Sequence, residues 1–441
     1  MKPLVVFKPN LKGLTKREKQ VLDLLVEAGK LIAPLYEQQE NPQFPGANFY
    51  PADVSKEEVE KAAKKDPQIL SPYTVVERKD GKLIAIPYHQ KYAKFLEPIA
   101  QKLIEAAEAT DSKGLSRRLK VQAKTLLNGS YEKAIASWMS MGPYILDINI
   151  GPVERYDDRL FFIKTSYQAW VGVANRESTQ TFNKYKDIIL SAHRKALMPS
   201  EKVDYYDKVQ VRVDDLLLFS GLVARTLFVG VSLPNDTHMM EKYGSGITLF
   251  QQTNKLRHQK NLAIFKKIFS PQFRKQFTEK DLENGSLYST ALHELAHTYL
   301  RYHGSEERLK DLFPIIDELG ATVMGIKVCG SLLLKDVVSQ TQLESIMLAY
   351  MTRSFNNILK ESDNPAKYHY IMGGAIFIIY LLESGAIKVI GGVSWPNFVK
   401  MFVSIDELAS ILERMLSQGT REDAEIFINK YGDYKKLRGV T

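Results

Sequence analysis

Two histidines and a glutamate lie together in the stretch HELAH, and their spacing suits metal chemistry. His293 and His297 are four residues apart, which is about 400° of helix, so both imidazoles leave the same helical face one turn apart. Glu294 follows the first histidine and would stand beside the ion that the two rings bind. The pattern predicts a zinc site at which Glu294 takes a proton from water during hydrolysis. The alternative is a pair of histidines on a helix surface.

A catalytic zinc site needs a third protein ligand, and two residues compete for that place. His303 follows on the same segment, but about 600° of continued helix would turn it away from the pair. A sharp turn would need Gly where Leu300 stands. Glu318 is the better candidate, because it lies near the start of the next predicted helix, which has Pro314 in its first turn. A carboxylate from this second helix would leave one coordination position open for water.

Asp317 and the single cysteine limit which residues could bind or support the metal. Asp317, directly before Glu318, would accept the free N–H of a ligand imidazole and fix its tautomer. The alternative for both acids is interaction with the positive end of a helix dipole. Cys329 is the only cysteine in the chain, which excludes an intrachain disulfide and a cysteine-rich zinc site. Histidine and carboxylate must therefore supply the ligands of any bound metal.

The composition indicates a globular protein. Of the 441 residues, 44% are hydrophobic and 25% charged, and the net charge is +9. Because the basic residues are interleaved with acids and form no block, we expect no nucleic-acid partner. The longest uncharged apolar run, 370–382, is shorter than the roughly 20 residues that span a bilayer, and no signal peptide is visible. We expect a cytoplasmic protein without a membrane partner and leave its oligomeric state open.

The elements that must position the site are predicted from hydrophobic periodicity and turn signals. Thr15 and Glu18 form a capping box before a helix, and Asp80-Gly81 indicates a hairpin. Helical patterns cover 92–127, 178–198, 204–222 and most of 254–416, whereas β-prone runs cover 144–151, 160–173 and 224–234. This layout predicts an α+β fold with two lobes.

We expect one lobe to be mostly helical and to bind zinc, and the other to hold a mixed β core, with a substrate cleft separating them. The β-core lobe would comprise 1–175, joined by the segment 223–255. The zinc-binding lobe would comprise 176–222 and 256–441.

Together these motifs resemble the dipeptidyl peptidase III family of zinc peptidases. In that family a second helix carrying an acidic pair and then a small residue follows the zinc helix, as DELGAT does here. The segments INIGPVERYDD, YQAWVGV, GVSLPNDTHMMEKYGS and HYIMGGAIFIIYLLESGAI are similar to further family segments in the expected order. The resemblance implies one zinc ion per chain and hydrolysis of short peptides with release of N-terminal dipeptides. The alternatives are a non-catalytic peptide-binding protein that keeps the fold, and a purely structural zinc site.

The resemblance also implies roles for residues outside the zinc helix. Glu154 would bind the N-terminal amine of the substrate, and Tyr156 would assist the tetrahedral intermediate. Ser232 and Asn235 stand where the family has two asparagines on a substrate-binding strand. His369 leads a helix and would face the cleft as a catalytic residue. For each of these residues the alternative is an ordinary structural or surface position.

The chain departs from the family pattern at several positions. Thr322 stands where an acid is usual, and Gly373 lies near the place of an arginine that helps to hold the peptide. HELAH also lacks the extra residue that well-known members carry between their histidines, and the chain is shorter than typical members. These departures bear on the strictness of dipeptide release.

Overall fold

The computed structural model describes residues 2–139, 144–193, 208–234, 237–362 and 367–438. The helices in these ranges are α1 (Lys16–Lys30), α2 (Ile32–Gln39), α3 (Lys56–Ala63), α4 (Tyr88–Lys91), α5 (Ala93–Ala109), α6 (Lys113–Asn128), α7 (Tyr131–Met139), α8 (Arg176–His193), α9 (Leu222–Thr226), α10 (Thr237–Tyr243), α11 (Gln251–Ile268), α12 (Pro271–Arg274), α13 (Glu279–Tyr299), α14 (Ser305–Leu309), α15 (Phe313–Leu333), α16 (Gln340–Lys360), α17 (Tyr368–Glu383), α18 (Phe398–Gln418), α19 (Arg421–Tyr431) and α20 (Tyr434–Leu437). The strands are β1 (Leu4–Val6), β2 (Thr74–Lys79), β3 (Lys82–Pro87), β4 (Leu146–Glu154), β5 (Ser166–Ala174), β6 (Gln210–Gly221), β7 (Gly230–Leu233), β8 (Gly246–Phe250), β9 (Ile387–Ile390) and β10 (Val393–Pro396).

The chain divides into two compact units, and the predicted α+β class with two lobes is confirmed. The first unit comprises Met1–Asn175 and Asp214–Phe228, and the second comprises Arg176–Val213 and Val229–Thr441. The division puts 214–222 in the first unit and 229–255 in the second, whereas the sequence predicts 176–222 for the zinc-binding lobe and 223–255 as a segment that joins the β-core lobe.

The first unit is built on an antiparallel sheet. Strand β5 pairs with β4 on one side and with β6 on the other, and β1 also pairs with β6. Helix α1 begins at the predicted capping box of Thr15 and Glu18 and packs against α5 and β5. The predicted hairpin is also present, with Asp80 and Gly81 at φ 49° and 72° between β2 and β3. Two positive φ angles are what a two-residue hairpin turn requires.

The second unit is mainly a bundle of helices, as the sequence predicts for 254–416. Helix α13 packs against α11, α15 and α16, and α15 packs in turn against α17 and α18. The antiparallel pair of β7 and β8 lies against α13. The hairpin of β9 and β10 interrupts the helices. The uncharged run 370–382 forms part of α17 and is largely buried. Among the helices of the described ranges, none has both the length and the apolar character that a membrane span requires.

One element was predicted wrongly. The sequence predicts a helix over 204–222, of which 204–207 lie outside the described residues, but 210–221 form strand β6. Val209, Val211 and Val213 are buried and alternate with more exposed neighbours, which is the period of two that a half-buried strand shows. In the following DDLLLFSG, Asp215 and Leu217 are still partly exposed, but 218–221 are all buried, so the alternation ends there. A smaller difference concerns 92–127, where α5 and α6 are separate helices and Ser112 caps the second one.

Candidate metal centre

The helix that carries HELAH is long, has an N-terminal capping box and buries the motif. Helix α13 begins at a capping box formed by Thr278 and Asp281. His293 and His297 are both buried, and their ring centroids are 4.9 Å apart. The two imidazoles therefore leave one face of the helix, as their spacing predicts. The helix ends at Tyr299.

Helix α15 brings a carboxylate to the two rings. Glu318 Oε2 lies 3.1 Å from His293 Nε2 and 3.9 Å from His297 Nε2. The three ligand atoms of these residues lie within 4.8 Å of one another. Glu318 Oε2 is buried, and its contact with His293 Nε2 does not have the geometry of a regular hydrogen bond. A buried acceptor that faces two ring nitrogens fits a divalent cation, and two His with one Glu are ligands that zinc takes in catalytic sites.

Small residues let the neighbouring helices come this close to α13. A Cβ atom on Gly325 of α15 would lie 3.0 Å from the carbonyl carbon of Leu292. A Cβ atom on Gly285 of α13 would lie 2.6 Å from the carbonyl oxygen of Ser345 in α16. Glycine at both positions therefore permits the helix spacing on which the His–His–Glu group depends.

A second atom holds each imidazole. His293 Nδ1 lies 3.2 Å from Thr322 Oγ1, and His297 Nδ1 lies 3.3 Å from Asp317 Oδ2. Arg301 lies 3.6 Å from the same Asp317 oxygen. Contacts at Nδ1 leave Nε2 of each ring directed at the shared position, which is how ligand imidazoles are oriented in metal sites.

The protonation of the rings follows from their surroundings. Burial lowers the pKa of His293 to about 4, so this ring is neutral, the form that binds metal. Burial also lowers the pKa of His297, but the Asp317 and Glu318 charges outweigh it and raise the pKa to about 9. Burial raises the pKa of Glu318, and the two imidazoles outweigh it and hold that pKa well below its usual range. A bound cation would take the place of the His297 proton.

Glu294 stands beside this group without belonging to it. Burial raises the pKa of Glu294 to about 7, which suits a group that must accept and release a proton near neutral pH. Strand β7 passes close by, because a Cβ atom on Gly230 would lie 3.1 Å from Glu294 Cγ.

The start of α17 lies near the same carboxylate. His369 is partly buried, and burial lowers its pKa while the Glu318 charge raises it. Its ring centroid is 4.2 Å from that of Tyr370, whose pKa burial and the Glu318 charge both raise. The competing histidine, His303, is exposed and lies 3.5 Å from Glu241, and the His–His–Glu group does not include it.

The remaining candidate residues are not part of the His–His–Glu group. Ser232 is on β7 in the second unit, with its hydroxyl 3.0 Å from that of Ser245. Asn235 lies outside the described residues. Glu154 is the buried last residue of β4 in the first unit. Tyr156 follows it, with its ring against Phe162 and Phe228. The roles of these four candidates stay predictions.

Two arginines near the centre were missed by the sequence analysis. Arg353 in α16 and Arg257 in α11 both act electrostatically on Glu294. The sequence contains a feature that could have indicated Arg353: it follows Ile346 and Tyr350 at helical spacing on α16. Ile346 and Tyr350 are buried, so an arginine continues an apolar stripe.

Comparison with solved structures identifies the architecture. The structure of dipeptidyl peptidase III from Caldithrix abyssi superposes with a TM-score of 0.86 over 98% of this chain and 93% of that one, at 22% identity. Dipeptidyl peptidase III from Corallococcus sp. strain EGB gives a TM-score of 0.82 over 98% of this chain and 92% of that one, at 21% identity.

Sequence comparison finds a curated relative at a similar level of identity. No family model matches the chain. The protein named Nudix hydrolase 3 of Arabidopsis thaliana is 23% identical over 434 residues, which cover 88% of this chain and 54% of the plant protein. The chain thus spans about half the length of that relative. The resemblance seen in the motifs is confirmed by the structural comparison: the chain has the dipeptidyl peptidase III fold.

Proposed function

We propose that the protein is a zinc-dependent peptidase of the dipeptidyl peptidase III family that hydrolyses short peptides and releases N-terminal dipeptides. The convergence of His293, His297 and Glu318 from two helices, with Glu294 beside them, carries this proposal. The shared fold supports it.

In this proposal His293, His297 and Glu318 hold one zinc ion per chain. Zinc, when bound, acidifies a water molecule and polarises a carbonyl group. Thr322 and Asp317 keep the two rings oriented through their Nδ1 atoms.

Glu294 acts as the general base and then as the general acid. Its carboxylate takes a proton from the attacking water and delivers it to the nitrogen of the leaving amine. A pKa of about 7, raised by burial, equips the same carboxyl group for both transfers near neutral pH. His369, near Glu318, is a further catalytic candidate.

The remaining roles follow from the family resemblance. Glu154 would bind the N-terminal amine of the peptide, Tyr156 would stabilise developing negative charge, and Ser232 and Asn235 would hold the peptide backbone. Binding the amine in this way favours removal of short N-terminal pieces. We propose short peptides as partners, without nucleic acid or membrane, and a cytoplasmic location.

The substitution Glu294→Gln tests the proposal, with Glu283→Gln as the matched control on the exposed side of the same helix. Wild type and variants are incubated with zinc and a set of short peptides, and the products are identified by mass spectrometry. Glu294→Gln should lower hydrolysis by about a hundredfold or more with unchanged zinc content, and Glu283→Gln should behave as wild type. Full activity in Glu294→Gln contradicts the assignment, and peptide binding without products in the wild type would indicate a non-catalytic peptide-binding protein.

A further inference from the structure

Two arginines of the second unit lie near the catalytic groups without a carboxylate partner. Among the described residues, no aspartate or glutamate forms an ion pair with Arg257 or Arg353. Their charges act on each other and on Glu294, and that of Arg353 also acts on His293. Because uncompensated cations in a partly buried place are costly, this pair suggests an anion supplied from outside the chain.

Neutral acceptors hold Arg257 in position. One terminal nitrogen donates to Asn254 Oδ1 at 3.1 Å and to the carbonyl oxygen of Ser286 at 3.3 Å. It also donates to Thr290 Oγ1. Burial and the charge of Arg353 lower the pKa of Arg257 to about 9. The guanidinium is therefore fixed in place, while no carboxylate of the described residues forms an ion pair with it.

Arg353 is held by stacking alone. Its guanidinium lies over the ring of Tyr370, 5.7 Å from the centroid, and makes no hydrogen bond to any residue in the described ranges. Stacking leaves the edge of the guanidinium, where its N–H donors lie, free for a planar anion. This geometry suits a carboxylate, which accepts two parallel hydrogen bonds from one arginine.

Arg353 lies at the meeting point of two cavities. One offers about 30 Å³ to water-sized groups and is also lined by Arg257, His258 and Asn261. His258 is buried, and its Nε2 atom has no hydrogen-bond partner. The other cavity, about 20 Å³ by the same measure, is lined by Glu318, Tyr370 and Gly373 as well as Arg353. A carboxylate group at Arg353 would thus lie next to the metal ligand Glu318, where substrate must come.

We propose that Arg257 and Arg353 form a binding site for a carboxylate, and that this carboxylate is the C-terminal group of a short peptide substrate. The inference rests on the proposed peptidase function and adds a substrate class to it, namely short peptides with a free C-terminus. A longer chain or an amidated peptide would leave both guanidinium groups without their anion.

The test measures binding separately from hydrolysis. Zinc-loaded Glu294→Gln protein is titrated by calorimetry with two peptides of identical sequence, one ending in a free carboxylate and one in an amide. The free acid should bind about tenfold tighter or more, because hydrogen bonds to charged groups are strong. With the additional substitution Arg353→Gln, the free acid and the amide should bind with equal affinity. With Arg353→Lys in its place, part of the preference for the free acid should remain. Lys255→Gln, which removes an exposed charge from the same helix as Arg257, should leave it unchanged.

The ratio is measured within each variant, so a fold defect that weakens both peptides equally does not imitate the predicted result. Equal affinity for acid and amide in Glu294→Gln, or an unchanged ratio in Arg353→Gln, overturns the inference, while hydrolysis by the wild type would leave the proposed function standing. No binding of either peptide, together with no hydrolysis, overturns both. Stabilisation by inorganic phosphate that depends on Arg353, with equal binding of the two peptides, would make the ligand a free anion and overturn the substrate assignment.

Discussion

At the scale of single residues, the two imidazoles of the metal centre have different supports. Thr322 offers a hydroxyl to Nδ1 of His293, and Asp317 offers a carboxylate to Nδ1 of His297. A hydroxyl orients a ring without adding negative charge, whereas a carboxylate also makes the ring more basic. This difference agrees with the lowered pKa of His293 and the raised pKa of His297.

The substitution Thr322→Val removes the hydroxyl at nearly constant volume. We expect zinc affinity to fall about tenfold, because partners behind a ligand imidazole contribute about ten- to a hundredfold to metal affinity. Competition with a fluorescent chelator measures the dissociation constant. Thr322→Ser keeps the hydroxyl and should retain most of the affinity, so equal losses in both variants would mean that the Thr322 hydroxyl is not the support.

The sequence indicated some residues of the site and not others, for a physical reason. His293, His297 and Glu294 follow from helical spacing alone. Glu318 follows from the position of the next helix start. Arg353 could not be assigned to the site in this way, because its contact with Tyr370 depends on how α16 and α17 pack.

At the scale of elements, strand β7 restricts the space around the catalytic glutamate. A Cβ atom on Gly230 would lie 3.0 Å from Leu249 Cδ2, 3.1 Å from Glu294 Cγ and 3.1 Å from Thr290 Cγ2. Such contacts are closer than ordinary packing, so one of the three side chains must move. Glycine at position 230 therefore lets the strand approach α13 at Glu294.

The substitution Gly230→Ala should displace Glu294 by a few tenths of an ångström. We expect kcat for peptide hydrolysis to fall about tenfold, because a small misplacement of a catalytic group is costly. Zinc content should stay at the wild-type level, since the three atoms nearest to the added Cβ belong to none of the ligands. Steady-state kinetics with metal analysis checks both statements, and a loss of zinc along with activity would locate the effect at the metal instead.

The wrong helix at 204–222 shows where sequence patterns lose information. Short apolar runs such as LLLFSG are compatible with a buried strand and with a buried helix. The alternation of Val209, Val211 and Val213 was the signal for a strand, and the longer apolar run after it concealed that signal. Elements with clear ends, such as α1 with its capping box, were predicted correctly.

A buried lysine ties together the loop and strand elements of the first unit. Lys164 Nζ donates to the carbonyl oxygens of Ile69 and Ser71 and to Thr74 Oγ1, at 2.7, 2.8 and 2.7 Å. The substitution Lys164→Met leaves these acceptors without their donor. At pH 9 the neutral amine keeps two N–H donors, and we expect the free energy of unfolding to fall by about 3 kcal/mol, because buried polar groups that lose a partner cost about 1–3 kcal/mol each. Urea unfolding measures this loss.

The same residue gives a pH dependence. Burial lowers the pKa of Lys164 from 10.5 to about 7, and the Asp158 charge opposes the shift only partly. Between these two values the unfolded chain binds the proton and the folded chain does not, so the unfolding free energy rises with pH, by up to about 1.4 kcal/mol per unit. The stability gap between wild type and Lys164→Met should therefore widen from pH 7 to pH 9. A constant gap over this range would contradict the lowered pKa.

At the scale of the whole molecule, the α+β class was accessible from the order of helices and strands. The chain keeps the dipeptidyl peptidase III fold at 21–22% identity to the solved structures. A fold at this distance is specified by the pattern of buried positions more than by particular residues. The bounds of the units were harder to predict, because the switch at 213/214 falls inside strand β6, and no linker composition marks it.

The account as a whole depends on one metal ion held by two helices of the second unit. The most direct measurement is the zinc content of purified wild type and Glu318→Ala after dialysis against a zinc buffer, read by mass spectrometry of the metal. We predict one zinc per chain in the wild type and an affinity lower by about a hundredfold or more in the variant. A variant that binds zinc as the wild type does, or a wild type that binds none, would contradict the central claim.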